Sequence, residues 1–257
     1  MPNFTLLARG NKLPAVGVLQ KLLNRGGSNL TADGDFGERT QTAVINFQRP
    51  RGLVADGVVG QNTWPRVSAG ANLPIMDCID IFDPSLMDLE MKDIQNAGGN
   101  PLVIGGMSNG VAQAVQMILG ASPGNVFLLR FHGHGAPGVA GISFGHGGAG
   151  FGHRADIDLS NLPIMIPLLT RLRGIFGPYG CIQFMHCSTG RGPNGQTVLR
   201  AIANAVGVPV SAGVQDQLGG GANTFRFEGP TFTAVPGGGS IASWASSRPN
   251  FPQMTVA

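Results

Sequence analysis

The chain is poor in charge. Of its 257 residues only 12% are Asp, Glu, Lys or Arg, and the formal net charge of +3 comes mostly from scattered arginines. No cluster of Lys and Arg is dense enough to follow a phosphate backbone, which excludes a nucleic-acid track. Cysteine is also scarce. Cys78, Cys181 and Cys187 cannot form a disulfide framework and include no C-x-x-C pair of the kind that marks a zinc ribbon, so at least one thiol is free. No stretch reaches the roughly 18 apolar residues of a membrane helix, and no membrane insertion is expected. The opening "MPNFTLLARGNKLP" lacks the charged region and apolar run of a signal peptide. The expectation is therefore a soluble protein made in the cytoplasm without a standard export signal.

Hydrophobic residues make up 42% of the chain, enough for a folded core. The 41 glycines follow no G-X-Y period and point to turns and close backbone approaches. The length suits one large domain or a small one followed by a medium one.

A short repeat decides between these. "LTADGDFGERT" (30–40) and "LVADGVVGQNT" (53–63) share Leu, Ala, Asp, Gly, Gly and Thr at an offset of 23 residues. In each copy an Asp-Gly turn leads into a helix. A first helix is expected in "AVGVLQKLLNRGG", with Val16, Leu19, Leu22 and Leu23 on one face and Gly26 as its stop. A second lies in "ERTQTAVINFQ", and a short third carries Trp64 and Val67. Taken with "VLQKLLN", "DGDFGERTQTAVINFQ" and "GLVADGVVGQNTW", the doubled D-G-x-x-G-x-x-T resembles the peptidoglycan-binding module found at the ends of bacterial and phage wall hydrolases. The resemblance covers most of residues 13–68. It implies a three-helix fold that binds cell-wall glycopeptide, with Asp33, Phe36 and Asp56 marking the binding loops. Pro50 departs from the usual continuation after "NFQ".

After "SAGANLP" the pattern changes. "IMDCIDIF", "PLVIGG", "NVFLLRFHG", "CIQFMHC" and "VPVSAGV" read as strands buried on both faces, as in a parallel sheet. Between them "SNGVAQAVQMILG", "LPIMIPLLTRLRGIF" and "GQTVLRAIANAVG" have helical spacing. The expected fold class is α/β: a small N-terminal three-helix bundle over residues 1–68, a link at 69–74, and a three-layer α/β/α sandwich with a mainly parallel sheet over 75–257.

Functional groups of open α/β sheets gather beyond the C-terminal strand ends. "HGHG" and "HCSTG" both fall there, and three readings follow. In the first, Cys187 is a nucleophile and a histidine its proton partner, with the backbone amides of Gly135 and Cys187 facing a developing oxyanion and weak support from a helix starting near Gln196. In the second, His132 and His134, on one strand face by the two-residue period, join His146, His153, His186 or Cys187 around a metal, although no H-E-x-x-H is present. In the third, these are core residues, the reading adopted for Cys78 and Cys181.

"FLLRFHGHGAPG" and "CIQFMHCSTGRGPNGQTVLRAIANAVGVPVSAGV" resemble the His-Gly and Cys blocks of the caspase-like cysteine peptidases, a clan that includes caspases, gingipains, clostripain and separase. "GHGAPG", "HCSTG" and "VPVSAGVQDQLGG" are similar to a caspase-like domain of large bacterial surface proteins. The likeness spans roughly residues 75–235. It implies His134 and Cys187 as the catalytic pair, with His132 the competing histidine, Gly135 and Cys187 as oxyanion donors, and Asp216 as the acid receiving a basic substrate side chain. "Met-His" replaces the usual Asp or Ser-Gly before the cysteine.

The combined expectation is a wall-targeted cysteine hydrolase, needing no metal or cofactor, that cuts an amide in peptidoglycan or in a peptide or protein substrate. Its expected place of action is the periplasm or cell wall, after delivery by secretion machinery or lysis, as for an antibacterial effector with an immunity protein. The alternatives are a non-catalytic wall-binding protein with a caspase-like scaffold and a zinc-dependent amidase.

Overall fold

The computed structural model describes residues 3–80, 84–104, 110–142 and 155–253. The first part of the chain forms α1 (Pro14–Arg25), α2 (Glu38–Gln48) and the single turn α3 (Trp64–Val67). Pro14 opens α1, where its missing N–H has no helical partner to lose. Every residue of α1 from Pro14 to Leu23 is buried, including Gln20 and Lys21. A helix buried all round has neighbours on every side.

The remaining elements alternate: β1 (Ile75–Asp80), α4 (Pro84–Asn96), β2 (Leu102–Ile104), α5 (Gly110–Ala121), β3 (Val126–His132), β4 (Gly135–Ala136), β5 (Val139–Gly141), β6 (Asp156–Ile157), α6 (Leu162–Thr170), β7 (Phe176–Met185), α7 (Gly192–Val206), β8 (Val210–Gly213), β9 (Thr231–Ala234) and α8 (Ile241–Ser247). Six strands form one sheet in the order β2-β1-β3-β7-β8-β9, parallel except for β9. This is the mixed α/β, mainly parallel architecture expected from the continuous apolar runs. Short strands β4, β5 and β6 make a separate antiparallel sheet.

One sheet face presents Leu129, Phe131, Ile182 and Phe184 to a core that includes Val198 and Ile202 of α7. The other presents Phe127, Leu128, Cys181 and Met185 to a core that contains Leu19 and Trp64 of the N-terminal helices and Trp244 of α8. Phe4 stacks on Trp64, with ring centroids 4.6 Å apart, and tilts against Phe127 at 6.1 Å. Gly17 allows α1 to touch α8: a Cβ there would lie 2.7 Å from Ala245 Cβ. Residues 69–74 run along the same core, with Leu73 buried and the Pro74 carbonyl accepting from Phe127 N–H at 2.8 Å. The N-terminal helices thus form part of the layer that covers this side of the sheet.

Three departures from the sequence expectation have physical causes. β7 begins at Phe176, earlier than the apolar run suggests, and its Gly and Pro residues are accommodated by a register shift opposite Val126 and Leu128. α6 ends at Thr170 and continues as 3-10 helix over Arg171–Ile175, so "LPIMIPLLTRLRGIF" is not one helix. The half-polar patterns of α4, β9 and α8 escaped the reading because each shows one face to solvent.

Candidate functional site

Strands β3 and β7 are adjacent and parallel, paired Arg130 with Gln183, Phe131 with Phe184 and His132 with Met185. The strands end together at His132 and Met185, so the His-Gly turn and the cysteine loop both leave the sheet at its C-terminal edge. The segments on either side confirm how closely these loops meet. A Cβ on Gly135 would run into Thr189 Oγ1 and His186 Cβ, so only glycine lets the histidine turn lie against the cysteine loop. His134 and Cys187 are both half-buried.

The Cys187 thiol donates to the Gln217 carbonyl at 3.3 Å, and its sulfur accepts from the Gln217 N–H at 3.3 Å. Gln217 belongs to the loop after β8 and braces it with its own side chain. Nε2 donates to the carbonyls of Gln215, Asp216 and Glu228, while Oε1 accepts from Glu228 N–H at 2.7 Å. The next residue, Ser188, has φ 53°, a left-handed conformation unusual outside glycine. It is held there by its N–H to Gln215 O at 2.9 Å and its Oγ to Asp216 Oδ1 at 2.6 Å. Asp216, expected to receive a basic side chain, has its carboxylate on this serine. Helix α7 starts at Gly192, four residues nearer the cysteine than the Gln196 expected.

His132 occupies different surroundings, and the shared strand face expected for it and His134 is not found: β3 ends at His132. Its imidazole is fully buried, with Nε2 3.1 Å from Asp77 Oδ1 and Nδ1 3.5 Å from Glu90 Oε2, the latter an ion-pair contact without hydrogen-bond geometry. Arg130 Nε also donates to Asp77 Oδ1, at 2.6 Å, and its Nη2 donates to the Asn3 carbonyl at 2.7 Å. Burial disfavours imidazolium at His132, but the Glu90 charge and the Asp77 hydrogen bond outweigh it and raise its pKa. Burial likewise opposes the Asp77 carboxylate, and the charges of Arg130 and His132 overcome that and lower its pKa.

His186, beside the cysteine, is fully buried, and neither ring nitrogen has a hydrogen-bond partner among the described residues. Burial, reinforced by the charges of His132 and His134, pushes its pKa down to about 3. It is therefore a neutral ring packed behind the site, at 5.5 Å from the Phe184 ring. Cys78 and Cys181 are fully buried core thiols, and burial pushes Cys181 up to about 12. His146 and His153 lie outside the described residues. Among the described residues, no three His, Cys, Asp or Glu side chains are grouped to hold a metal ion, and no helix is long and apolar enough to cross a membrane.

In the N-terminal helices the repeat has a structural meaning that spacing alone did not reveal. Gln20 Nε2 donates to Asp33 Oδ1 (2.8 Å) and Thr40 Oγ1 (3.1 Å), and its Oε1 accepts from Asp33 and Gly34 N–H. Gln48 Nε2 donates to Asp56 Oδ1 and Thr63 Oγ1, both at 3.1 Å, and its Oε1 accepts from Gly57 N–H at 3.0 Å. Asp33 and Asp56 also cap their own turns through Asp35 N–H and Val58 N–H. Phe36 is wholly buried in the core. These three markers hold the loops in shape; Phe36 offers no surface to a ligand. A groove of about 780 Å³ lies elsewhere, between the end of α1 and α2, with Leu23, Leu30 and Phe47 beside Arg39, Asn46 and Arg51. Arg51 stacks on Phe47, its guanidinium carbon 3.9 Å from the ring centroid.

The chain is thus a mixed α/β protein with a helical segment, and its His-Gly turn lies against the cysteine loop at the C-terminal edge of the sheet. Residues 12–66, the helical segment, match the family described as a putative peptidoglycan binding domain. Among solved structures, the chain is similar to a peptidoglycan-binding protein from Clostridioides difficile in complex with glutamine hydroxamate, 34% identical over 26% of this chain and 42% of that one, with a TM-score of 0.25. It is also similar to the Burkholderia AP3 phage endolysin, 32% identical over 36% of this chain and 34% of that one, with a TM-score of 0.26. The chain spans less than half the length of both.

Proposed function

We propose that the protein is a cell-wall-directed cysteine hydrolase in which residues 12–66 bind peptidoglycan and Cys187 with His134 cleaves an amide bond. The observation that carries this reading is the register of β3 and β7, which brings the His-Gly turn against the cysteine loop at the C-terminal edge of the sheet. The peptidoglycan-binding match supports the address, and the strand ends support the chemistry by position.

In this reading the Cys187 thiolate attacks the substrate carbonyl carbon, and the amides of Gly135 and Cys187 hold the oxyanion. The C–N bond breaks as His134 gives a proton to the departing amine. Water then hydrolyses the thioester, with His134 as base, and restores the thiol. The α1–α2 groove, lined by Leu23, Leu30 and Phe47 together with Glu38, Arg39, Asn46 and Arg51, is the surface offered to wall glycopeptide. Action at the wall implies delivery by lysis or secretion machinery, and a toxin role implies an immunity protein. Asp216 acts on specificity through Ser188, on which its carboxylate rests.

A second reading has one observation in its favour: both hydrogen-bonding capacities of the Cys187 thiol are taken up by the main chain of Gln217, as in a scaffold that binds without cutting. One experiment separates the two. Purified peptidoglycan and wall-extracted proteins are incubated with wild type, Cys187→Ala and His134→Ala, while pelleting with walls is followed in parallel. The hydrolase reading expects fragments from wild type alone and equal pelleting by all three. Pelleting without fragments from any form supports the scaffold.

A further inference from the structure

We propose that the buried quartet Asp77, Glu90, Arg130 and His132, closed by the main chain of Asn3, is a positioning device that fixes the His134 turn relative to Cys187. This rests on the cysteine-hydrolase reading above. The quartet holds two carboxylates and two cationic side chains, none more than 4% exposed. Such a network contributes little net stability compared with apolar packing of the same volume, and its best-attested use is to specify register. Here the register concerned is that of the last residue of β3.

The links are short. His132 is held from β1 through Asp77 and from α4 through Glu90. Arg130, two residues earlier on the same face, ties the same Asp77 oxygen to the chain's N-terminal segment and lies over the Phe225 ring at 5.3 Å. Thr5 Oγ1 reaches the sheet beside it, donating to Gln183 Oε1 at 2.9 Å. Beyond His132 the chain has no slack. A Cβ on Gly133 would sit 3.1 Å from Asp80 Cβ and 3.4 Å from His186 Nε2, and one on Gly135 would strike Thr189. A turn pinned at residues 132, 133 and 135 leaves residue 134 one place. The raised pKa of His132, which sits between two carboxylates, agrees with this arrangement. It follows that the N-terminal segment just before the wall-binding residues 12–66 helps to build the reactive site through Asn3.

The test is alkylation of Cys187 by iodoacetamide across pH, which requires no substrate; Cys78 and Cys181 are buried, and Cys187→Ala supplies the blank. A paired imidazole gives wild type a reactive limb below about pH 7 that His134→Ala lacks. The double variant His132→Gln/Glu90→Gln removes one charge of each sign and keeps the quartet neutral. Arg130→Lys, a milder change, keeps the charge but loses the fork that spans Asp77 and Asn3. Each is first checked for cooperative unfolding and for unchanged pelleting with walls. The expected result is loss of the low-pH limb in the double variant, matching His134→Ala, and a partial loss in Arg130→Lys. A folded double variant, or a folded Arg130→Lys if the double variant does not fold, with the wild-type profile would overturn the proposal and leave the quartet a structural feature. If His134→Ala itself keeps the wild-type limb, the Cys-His pairing fails first and takes the positioning proposal with it.

Discussion

The Asp-Gly loops of the helical segment and the loops at the sheet's C-terminal edge draw on the same residue types, yet their hydrogen-bond accounts differ. In the first region Gln20 and Gln48 each spend donors and acceptor on an aspartate, a threonine and loop amides. In the second, His186 has two buried ring nitrogens without partners, and Glu228 Oε1 and Gln183 Nε2 are in the same condition. Buried polar groups are normally satisfied, because leaving one without a partner costs roughly 1–3 kcal/mol. The difference teaches where the molecule is built for shape and where it tolerates unfavourable local chemistry, which functional sites do more often than scaffolds.

The largest expected effect comes from breaking the satisfied region. Gln48→Ala takes the acceptor from the Gly57 amide and one partner each from Asp56 and Thr63, and Gln20→Ala does the same around Asp33, Gly34 and Thr40. Each is expected to lower stability by about 3 kcal/mol, read from urea unfolding midpoints with unchanged slope. Losses below about 1 kcal/mol in both would mean that the aspartate caps alone hold these loops.

Much of this contrast was legible in the sequence, but unevenly. The repeat, the three N-terminal helices and the apolar parallel strands followed from periodicity, because burial on a helix stripe or on both sheet faces leaves a regular mark. His134 and Cys187 stood out as polar residues closing apolar runs. Of the quartet the sequence singles out only His132; Asp77 and Arg130 sit as charged residues inside otherwise apolar strands, and their partners Glu90 and Asn3 are distant in sequence. Gln217 could not be read at all, since its contact with the thiol is made by main-chain atoms that every residue possesses. The repeat marks Asp33 and Asp56 as loop residues, but the side chains of Gln20 and Gln48 that hold them carry no periodic signal.

A middle-sized effect is expected at Gln217. Removing its side chain with Gln217→Ala frees the loop after β8 from Glu228 and from the carbonyls of Gln215 and Asp216, while the main-chain groups on Cys187 remain chemically present. If the loop is what shields the thiol, the high-pH plateau of Cys187 alkylation rises about tenfold, with little change in the midpoint. A shift in midpoint with the plateau unchanged would instead assign the Gln217 N–H to stabilising thiolate.

The smallest effect, and the one of opposite sign, belongs to His186. Its imidazole is neutral near pH 7, since burial and the neighbouring histidine charges push its pKa down to about 3. Because neither nitrogen has a partner, the ring contributes packing against Phe184 and carries an uncompensated desolvation cost. His186→Phe keeps an aromatic ring in the place and removes both polar atoms. The expected outcome is unchanged stability or a gain of up to about 1 kcal/mol, in contrast with the loss at Gln48, although the slightly larger ring offsets part of the benefit. A loss as large as that of Gln48→Ala would show that the imidazole nitrogens are satisfied in solution, by ordered water behind the histidine turn, and the contrast between the two regions would then disappear.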